Sequence, residues 1–285
     1  MMWKVFLYAS IFIAGFAAIS LWNFYSIIRP PQIETALVPK DFGLTAEDVS
    51  IETDDGVMLS GWLIPGNAAD TRALIILHGY PAEKSDMLPV ALALHPDFSL
   101  LLLDMRSFGK SGGPYTTLGI KERMDVRKAA DYLKERGYGN IGVFGFSLGG
   151  AVAVLAAADD ERIGAVASYG SFANLPLLGK SVYRNLLFLK QPMVALELLW
   201  ARILFRESLS RVSPENAARR LSIPVFIAHS GADEQIPFEH ALRLKEALKD
   251  NTRAEFYFME NEKALHGELS RDFYTRLKEF FLRNL

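Results

Sequence analysis

The sequence predicts an α/β fold: a mostly parallel central sheet with helices on both faces, opened by an antiparallel hairpin and carrying a helical cap insertion. Three observations predict it. From Ala73 onward, short apolar runs of strand length alternate with helical stretches, which demands parallel pairing through crossovers. Ahead of them, two strand-like runs flank Asp54, Asp55 and Gly56, a hairpin signature. Between the apolar run ending near Tyr169 and the next one at Pro224 lie about fifty residues, far more than a crossover needs.

Taken in order, the chain opens with 24 uncharged positions, Val5 to Ile28. As a helix they would reach about 36 Å, against a hydrocarbon core of about 30 Å. The rival is a cleaved signal peptide, whose apolar region should run about 7 to 15 residues before a small-x-small site. Here the run is longer, and Trp22, Asn23, Phe24 and Tyr25 read as an interfacial belt. An uncleaved anchor over residues 1–29 is therefore expected. Lys4 on one side and Arg29 with Lys40 on the other do not choose its orientation, and the side of the membrane stays open. Pro30, Pro31 and Pro39 then punctuate residues 30–48, which read as a stiff linker lifting the body off the bilayer.

The body, residues 49–285, begins with strands at Val49–Thr53 and Leu59–Pro65. Buried strands are predicted at Ala73–Leu77, Leu100–Leu103, Ile141–Phe146, Ile163–Ser168, Pro224–Ala228 and Ala254–Phe258, with helices at Ala82–Leu94, Lys121–Arg136, Ser147–Ala158, Phe238–Leu248 and Leu269–Leu285. In such sheets the working groups gather at the carboxyl ends of the strands. At 285 residues, one α/β domain of ordinary size accounts for the body. Its charge is nearly balanced, 31 Lys and Arg against 33 Asp and Glu, which gives no nucleic-acid surface. Without cysteine it has no disulfide, no thiolate nucleophile and no cysteine-rich metal site.

The chemistry is expected where a strand meets a helix, at Gly145, Phe146, Ser147, Leu148, Gly149. This G-x-S-x-G pattern forces a serine onto a sharp, strained turn with its hydroxyl exposed. A serine hydroxyl needs a histidine to take its proton and a carboxylate to hold the histidine's tautomer. Both follow in the order such a sheet requires. Asp233 lies on the loop after Pro224–Ala228, and His266 lies after Ala254–Phe258, just ahead of the last helix. The alternatives are Glu234 as the acid, Asp233 as a mere helix cap, and His229 or His240 as the base. The oxyanion needs two N–H donors, expected from Leu148, which follows the nucleophile, and from Tyr80, after His78 and Gly79. His78 reads as structural.

With these motifs the chain resembles the α/β-hydrolase family, and within it the membrane-associated serine hydrolases with a single amino-terminal span. The resemblance covers about residues 45 to 285 and rests on the His78-Gly79 turn, the loop Asp104 to Gly112, the elbow at Ser147, the Asp233 loop and His266-Gly267. One departure is Ser107, where the family usually carries glycine. Asp104 and Arg106 in that loop read as structural.

The insertion, about residues 172–213, is basic: Lys180, Arg184, Lys190, Arg202, Arg206 and Arg211 face only Glu197 and Glu207. Met193 to Phe205 is apolar on almost every side, so it must be buried in protein or in lipid. The expected activity is cleavage of carboxylic esters or thioesters with apolar acyl groups through an acyl-enzyme. The expected partners are an acyl substrate and membrane lipid, with no cofactor, no metal and no nucleic acid. A peptidase or amidase of the same fold is the alternative in chemistry, and a catalytically silent membrane-bound scaffold is the alternative in kind.

Overall fold

Sequence-encoded hydrophobicity shapes the first element most plainly: α1 (Met2–Ile28) is one continuous helix, long and apolar enough to cross a membrane. The structure, a computed structural model, describes residues 2–33, 35–67, 71–259, 266 and 269–285. From Met2 to Ile19 the side chains of α1 are almost all exposed. Beyond that, Ser20, Phe24 and Ile28 are buried one turn apart, so the last turns dock on the body along one stripe.

The segment after α1 does not stand away from the body as a spacer. Pro39 opens a single 3₁₀ turn that ends on Gly43 at φ 71°, and Pro39 and Leu44 are buried. The Thr35 N–H donates to Glu83 Oε1 at 2.8 Å, and the Thr35 hydroxyl meets the Ser85 hydroxyl at 2.6 Å. The prolines that promise stiffness instead hold an extended strap against the surface, because its apolar residues have a core to join.

Strands β1 (Glu47–Glu52) and β2 (Met58–Ile64) form the expected hairpin, in register from Glu47 opposite Leu63 to Glu52 opposite Met58. Gly56 supplies the positive φ, 79°, that the turn requires. There follow β3 (Arg72–Leu77), α2 (Leu88–Leu94), β4 (Ser99–Leu103), α3 (Glu122–Glu135), β5 (Asn140–Phe146), α4 (Leu148–Asp159) and β6 (Ile163–Tyr169). The predicted helix from Ala82 is shorter: residues 84–87 form a 3₁₀ turn, and the α-helix begins at Leu88, where Pro89 fits the first turn.

The insertion folds into α5 (Leu175–Val182), α6 (Lys190–Phe205) and α7 (Pro214–Ala218), with 3₁₀ turns at Arg184–Leu189 and Leu209–Arg211. The chain then completes β7 (Val225–Ser230), α8 (Glu239–Ala247), β8 (Ala254–Met259) and α9 (Arg271–Asn284). Ser270 caps α9 by accepting the Phe273 N–H.

Among the described residues the strands form one sheet in the order β1-β2-β4-β3-β5-β6-β7-β8, antiparallel at β1-β2-β4 and parallel from there on. Strand alternation divides the core. Leu74, Ile76, Leu100 and Leu102 pack beneath α2 and α9, while Ile75, Leu77, Leu101 and Leu103 pack against α3 and α4. Each such fully buried side chain contributes roughly 2 kcal/mol. Phe24 and Ile28 of α1 belong to the second of these clusters, so the helix end is continuous with the domain's core.

Helix α6 buries only part of its apolar surface in protein. Met193, Val194 and Ala201 are buried, but Leu199, Ile203 and Leu204 are bare on its outer side. One side of α6 covers the cap interior and packs on α1; the other is left to the surroundings.

Candidate active site

Ser147 sits between β5 and α4 at φ 54° and ψ −115°, a strained backbone for any residue with a Cβ. The strain is held by close packing. A Cβ on Gly145 would lie 2.1 Å from the Gly149 carbonyl oxygen, directly across the bend. A Cβ on Gly149 would lie 2.4 Å from the His78 carbonyl oxygen, so this second glycine lets α4 press against the end of β3. The Ser147 N–H is satisfied by the Tyr169 carbonyl at 2.8 Å, which leaves its hydroxyl as the group presented outward.

Three side chains expected to act together are brought together by the ends of three parallel strands. His266 Nε2 lies 3.1 Å from Ser147 Oγ, and His266 Nδ1 lies 2.7 Å from Asp233 Oδ2. Because a carboxylate only accepts, Nδ1 carries the hydrogen and the lone pair of Nε2 faces the serine. The Phe146 ring packs on the imidazole at 4.9 Å between centroids. Gly267, beside His266, lies outside the described residues.

Asp233 is not a cap of the helix that follows. Its Oδ1 accepts the N–H groups of Gln235 at 2.9 Å and Ile236 at 2.8 Å, which turns the loop so that Oδ2 is aimed at His266. Burial alone would raise its pKa, but the hydrogen bond from His266 and that from the Ile236 amide outweigh it and hold the carboxyl below its ordinary value. Glu234 next to it is exposed. The rival histidines are buried in other duties. His229 Nε2–H donates to the Ile236 carbonyl at 2.8 Å, and His240 Nδ1 accepts the Ala173 N–H at 2.9 Å. Burial pushes both imidazoles down, His240 to about 4, so both are neutral.

The two expected oxyanion donors are Tyr80 and Leu148. Both border the same cavity as Ser147, and among the described residues neither backbone N–H has an acceptor. Leu148 also opens α4, where the first-turn amides favour negative charge. Gly79 makes the approach possible, since a Cβ there would stand 2.8 Å from the Phe146 ring and 3.2 Å from Ser147 Cβ. His78 is fully buried and ties the turn: its Nδ1–H donates to the Gly79 carbonyl at 2.7 Å, and its Nε2 accepts the Met105 N–H at 3.0 Å.

The loop after β4 is a scaffold. Asp104 pairs with the buried Lys84 ammonium and accepts the N–H groups of Lys84 and Lys110 at 2.7 and 3.0 Å. Arg106 forks onto Asp125 and Asp55 with bonds of 2.5 to 3.0 Å. Ser107 keeps the glycine-like backbone at φ 69°, its N–H bonded to the Gly112 carbonyl at 2.8 Å, so the departure from glycine leaves the turn in place.

Two features have no counterpart in the sequence reading. Gly170, just past β6, takes the positive φ of 59° that lets the chain turn beside the His266–Asp233 pair; a Cβ there would stand in ordinary contact, 3.5 Å from the imidazole. A glycine following a buried strand was the available signal. The second is the cavity itself, about 500 Å³, whose walls combine Ser147, Leu148 and Tyr80 with Leu178 and Leu198 of the cap and with Phe24 and Ile27 of α1. Asn23 and Phe24, expected in an interfacial belt, turn inward to this body, while Trp22 and Tyr25 stay outside. Only one turn separates these roles, because the docked stripe of α1 is narrow.

A model of the prolyl oligopeptidase family matches residues 106–285. YfhR of Escherichia coli is 30% identical over 225 residues, an alignment that takes in 73% of this chain and 70% of that protein. Protein bem46 of Schizosaccharomyces pombe is 29% identical over 150 residues, 50% of each chain. Among solved structures, an esterase of Pyrococcus furiosus superposes with a TM-score of 0.76 at 26% identity, over 91% of this chain and 99% of its own. The acylaminoacyl peptidase of Pyrococcus horikoshii gives 0.66 at 20% identity over 85% of this chain and 42% of its own, a likeness of fold.

Proposed function

Because the chain belongs to the prolyl oligopeptidase family and has the α/β-hydrolase fold, we propose that it is a serine hydrolase that cleaves carboxylic esters or thioesters with apolar acyl groups. The observation that carries this reading is the hydrogen-bonded run from Ser147 through His266 to Asp233 at the floor of an apolar cavity. Ser147 Oγ attacks the acyl carbon while His266 Nε2 takes its proton, and Asp233 stabilises the imidazolium that forms. The N–H groups of Tyr80 and Leu148 receive the oxyanion. As the tetrahedral intermediate collapses, His266 returns the proton to the departing alcohol or thiol. Water, activated by the same imidazole, then releases the acid and frees Ser147.

The setting in this reading is a membrane surface. Loss of α1 as a leader peptide would remove Phe24 and Ile28, which are 3% and 1% exposed in the domain core, and bare the apolar residues they pack on, Phe205 among them; this supports an uncleaved anchor. The cap bares Val182, Leu187, Phe188 and Ile203 in a segment rich in basic residues, a surface suited to the interface of an anionic bilayer.

Family membership keeps amide cleavage as a second reading, since the same machinery cleaves peptides. A panel of esters, thioesters and aminoacyl amides of rising chain length separates the two. Ester or thioester turnover that rises with acyl length and falls on the order of 10⁶-fold in Ser147→Ala supports the proposal. Turnover confined to aminoacyl amides replaces it with the peptidase reading.

A further inference from the structure

The last two turns of α1 are built into the site. Ser20, Phe24 and Ile28 form the buried stripe, flanked by the half-buried Asn23 and Ile27. Ser20 Oγ accepts the Trp200 indole N–H at 2.9 Å. The Asn23 amide donates to Tyr183 Oη and to Glu197 Oε1, each at 2.5 Å, and the Tyr183 hydroxyl closes the triangle on the same carboxylate at 2.5 Å. Polar groups on a bilayer-facing helix are costly unless they find partners; these two find theirs on the cap. At the end of the helix the Ile28 carbonyl accepts the Thr116 N–H at 2.8 Å, and the Phe24 ring meets Phe205 at 5.9 Å.

These contacts fix both the rotation and the axial position of α1, and the consequence lies on the cavity side. Phe24 and Ile27 line the same space as Ser147. Leu21, Trp22 and Tyr25, on neighbouring positions of the same turns, face outward at 47%, 73% and 44% exposure. We propose that the last two turns of α1 are a wall of the acyl-binding cavity, so that the helix long enough to cross a membrane also sets the length of acyl chain the site accepts. The inference rests on the serine-hydrolase reading and adds to it a specificity-determining surface, Phe24 and Ile27, outside the residues that do chemistry. An acyl chain bound at Ser147 runs along this wall, in the space that Leu178 and Leu198 of the cap also line.

The test uses the full chain in lipid nanodiscs, with p-nitrophenyl butyrate and p-nitrophenyl laurate as substrates and a small fluorophosphonate as a label for a folded, nucleophilic site. In Ile27→Trp the ratio of kcat/KM for laurate over butyrate falls by about tenfold, the scale on which a pocket rejects added methylenes. Ile27→Ala, which enlarges the cavity, moves the ratio the other way, and this second variant decides the matter if the tryptophan does not fold. Leu21→Trp, on the outer side of the helix, leaves the ratio within about twofold of wild type, since it removes no contact with the cavity. A labelled wild type whose ratio is unmoved by both Ile27 variants, or moved equally by Leu21→Trp, overturns the wall and leaves the hydrolase standing. A folded wild type that neither labels nor turns over either ester overturns both.

Discussion

At the scale of single residues, the site depends on a few positions with no freedom. Ser147 holds an outlying backbone because Gly145 and Gly149 let three backbone segments meet where a methyl group would collide. Asp233 spends one oxygen on its own loop and the other on His266, which makes it both the orienting group and a structural one. Its carboxyl ionises at lower pH in the folded chain than its ordinary value. Ionised Asp233 therefore stabilises the fold fully above the unfolded value of about 3.9, and that contribution is lost as pH falls through the lower folded value. Asp233→Asn is expected to flatten the acid limb of a plot of Tm against pH. A limb as steep as that of wild type would contradict this assignment of the carboxylate.

At the scale of elements, strand ends and local turns were legible in the sequence, and contacts between distant segments were not. The elbow could be read because its constraint is contained in five consecutive residues. Asp233 and His266 could be read because each follows a strand-like apolar run in the required order. By contrast, the Asn23, Tyr183 and Glu197 cluster joins residues 160 and 174 positions apart, and no periodicity announces such a meeting. The linker was misread for a related reason: prolines report stiffness, and only the fold shows what Leu44 and Pro39 pack against. Helix α6 showed its apolar character but not that it would keep one side bare. One buried carboxylate illustrates how loops acquire position. Glu122 accepts hydrogen bonds from the Thr116 hydroxyl, the Thr117 amide and hydroxyl and the Gly119 amide at 2.6 to 2.8 Å, and so fixes the loop whose Thr116 N–H caps α1. Glu122→Ala should cost about 3 kcal/mol in urea unfolding, because it leaves several buried donors unpaired. A loss below about 1 kcal/mol would mean that the loop is held by other contacts.

At the scale of the whole molecule, the parallel sheet gathers the ends of β3, β5, β7 and β8 on one edge, and the cap and the end of α1 close a cavity over that edge. The arrangement joins an apolar chamber to the end of a helix long enough to cross a membrane, in a molecule whose cap also bares an apolar surface. If that surface rests in a bilayer, Phe188→Asp, at a side chain 82% exposed, lowers turnover of vesicle-borne esters well below that of wild type while short soluble esters are affected far less. Equal loss on both substrates would remove the membrane from the account. The chemistry itself is tested most directly by fluorophosphonate labelling of the folded full-length chain, with the adduct located by peptide mass spectrometry. A single covalent adduct is expected on Ser147, absent in Ser147→Ala and strongly slowed in His266→Ala; a folded wild type that takes no label, or a Ser147→Ala variant that labels as well as wild type, would contradict Ser147 as the nucleophile.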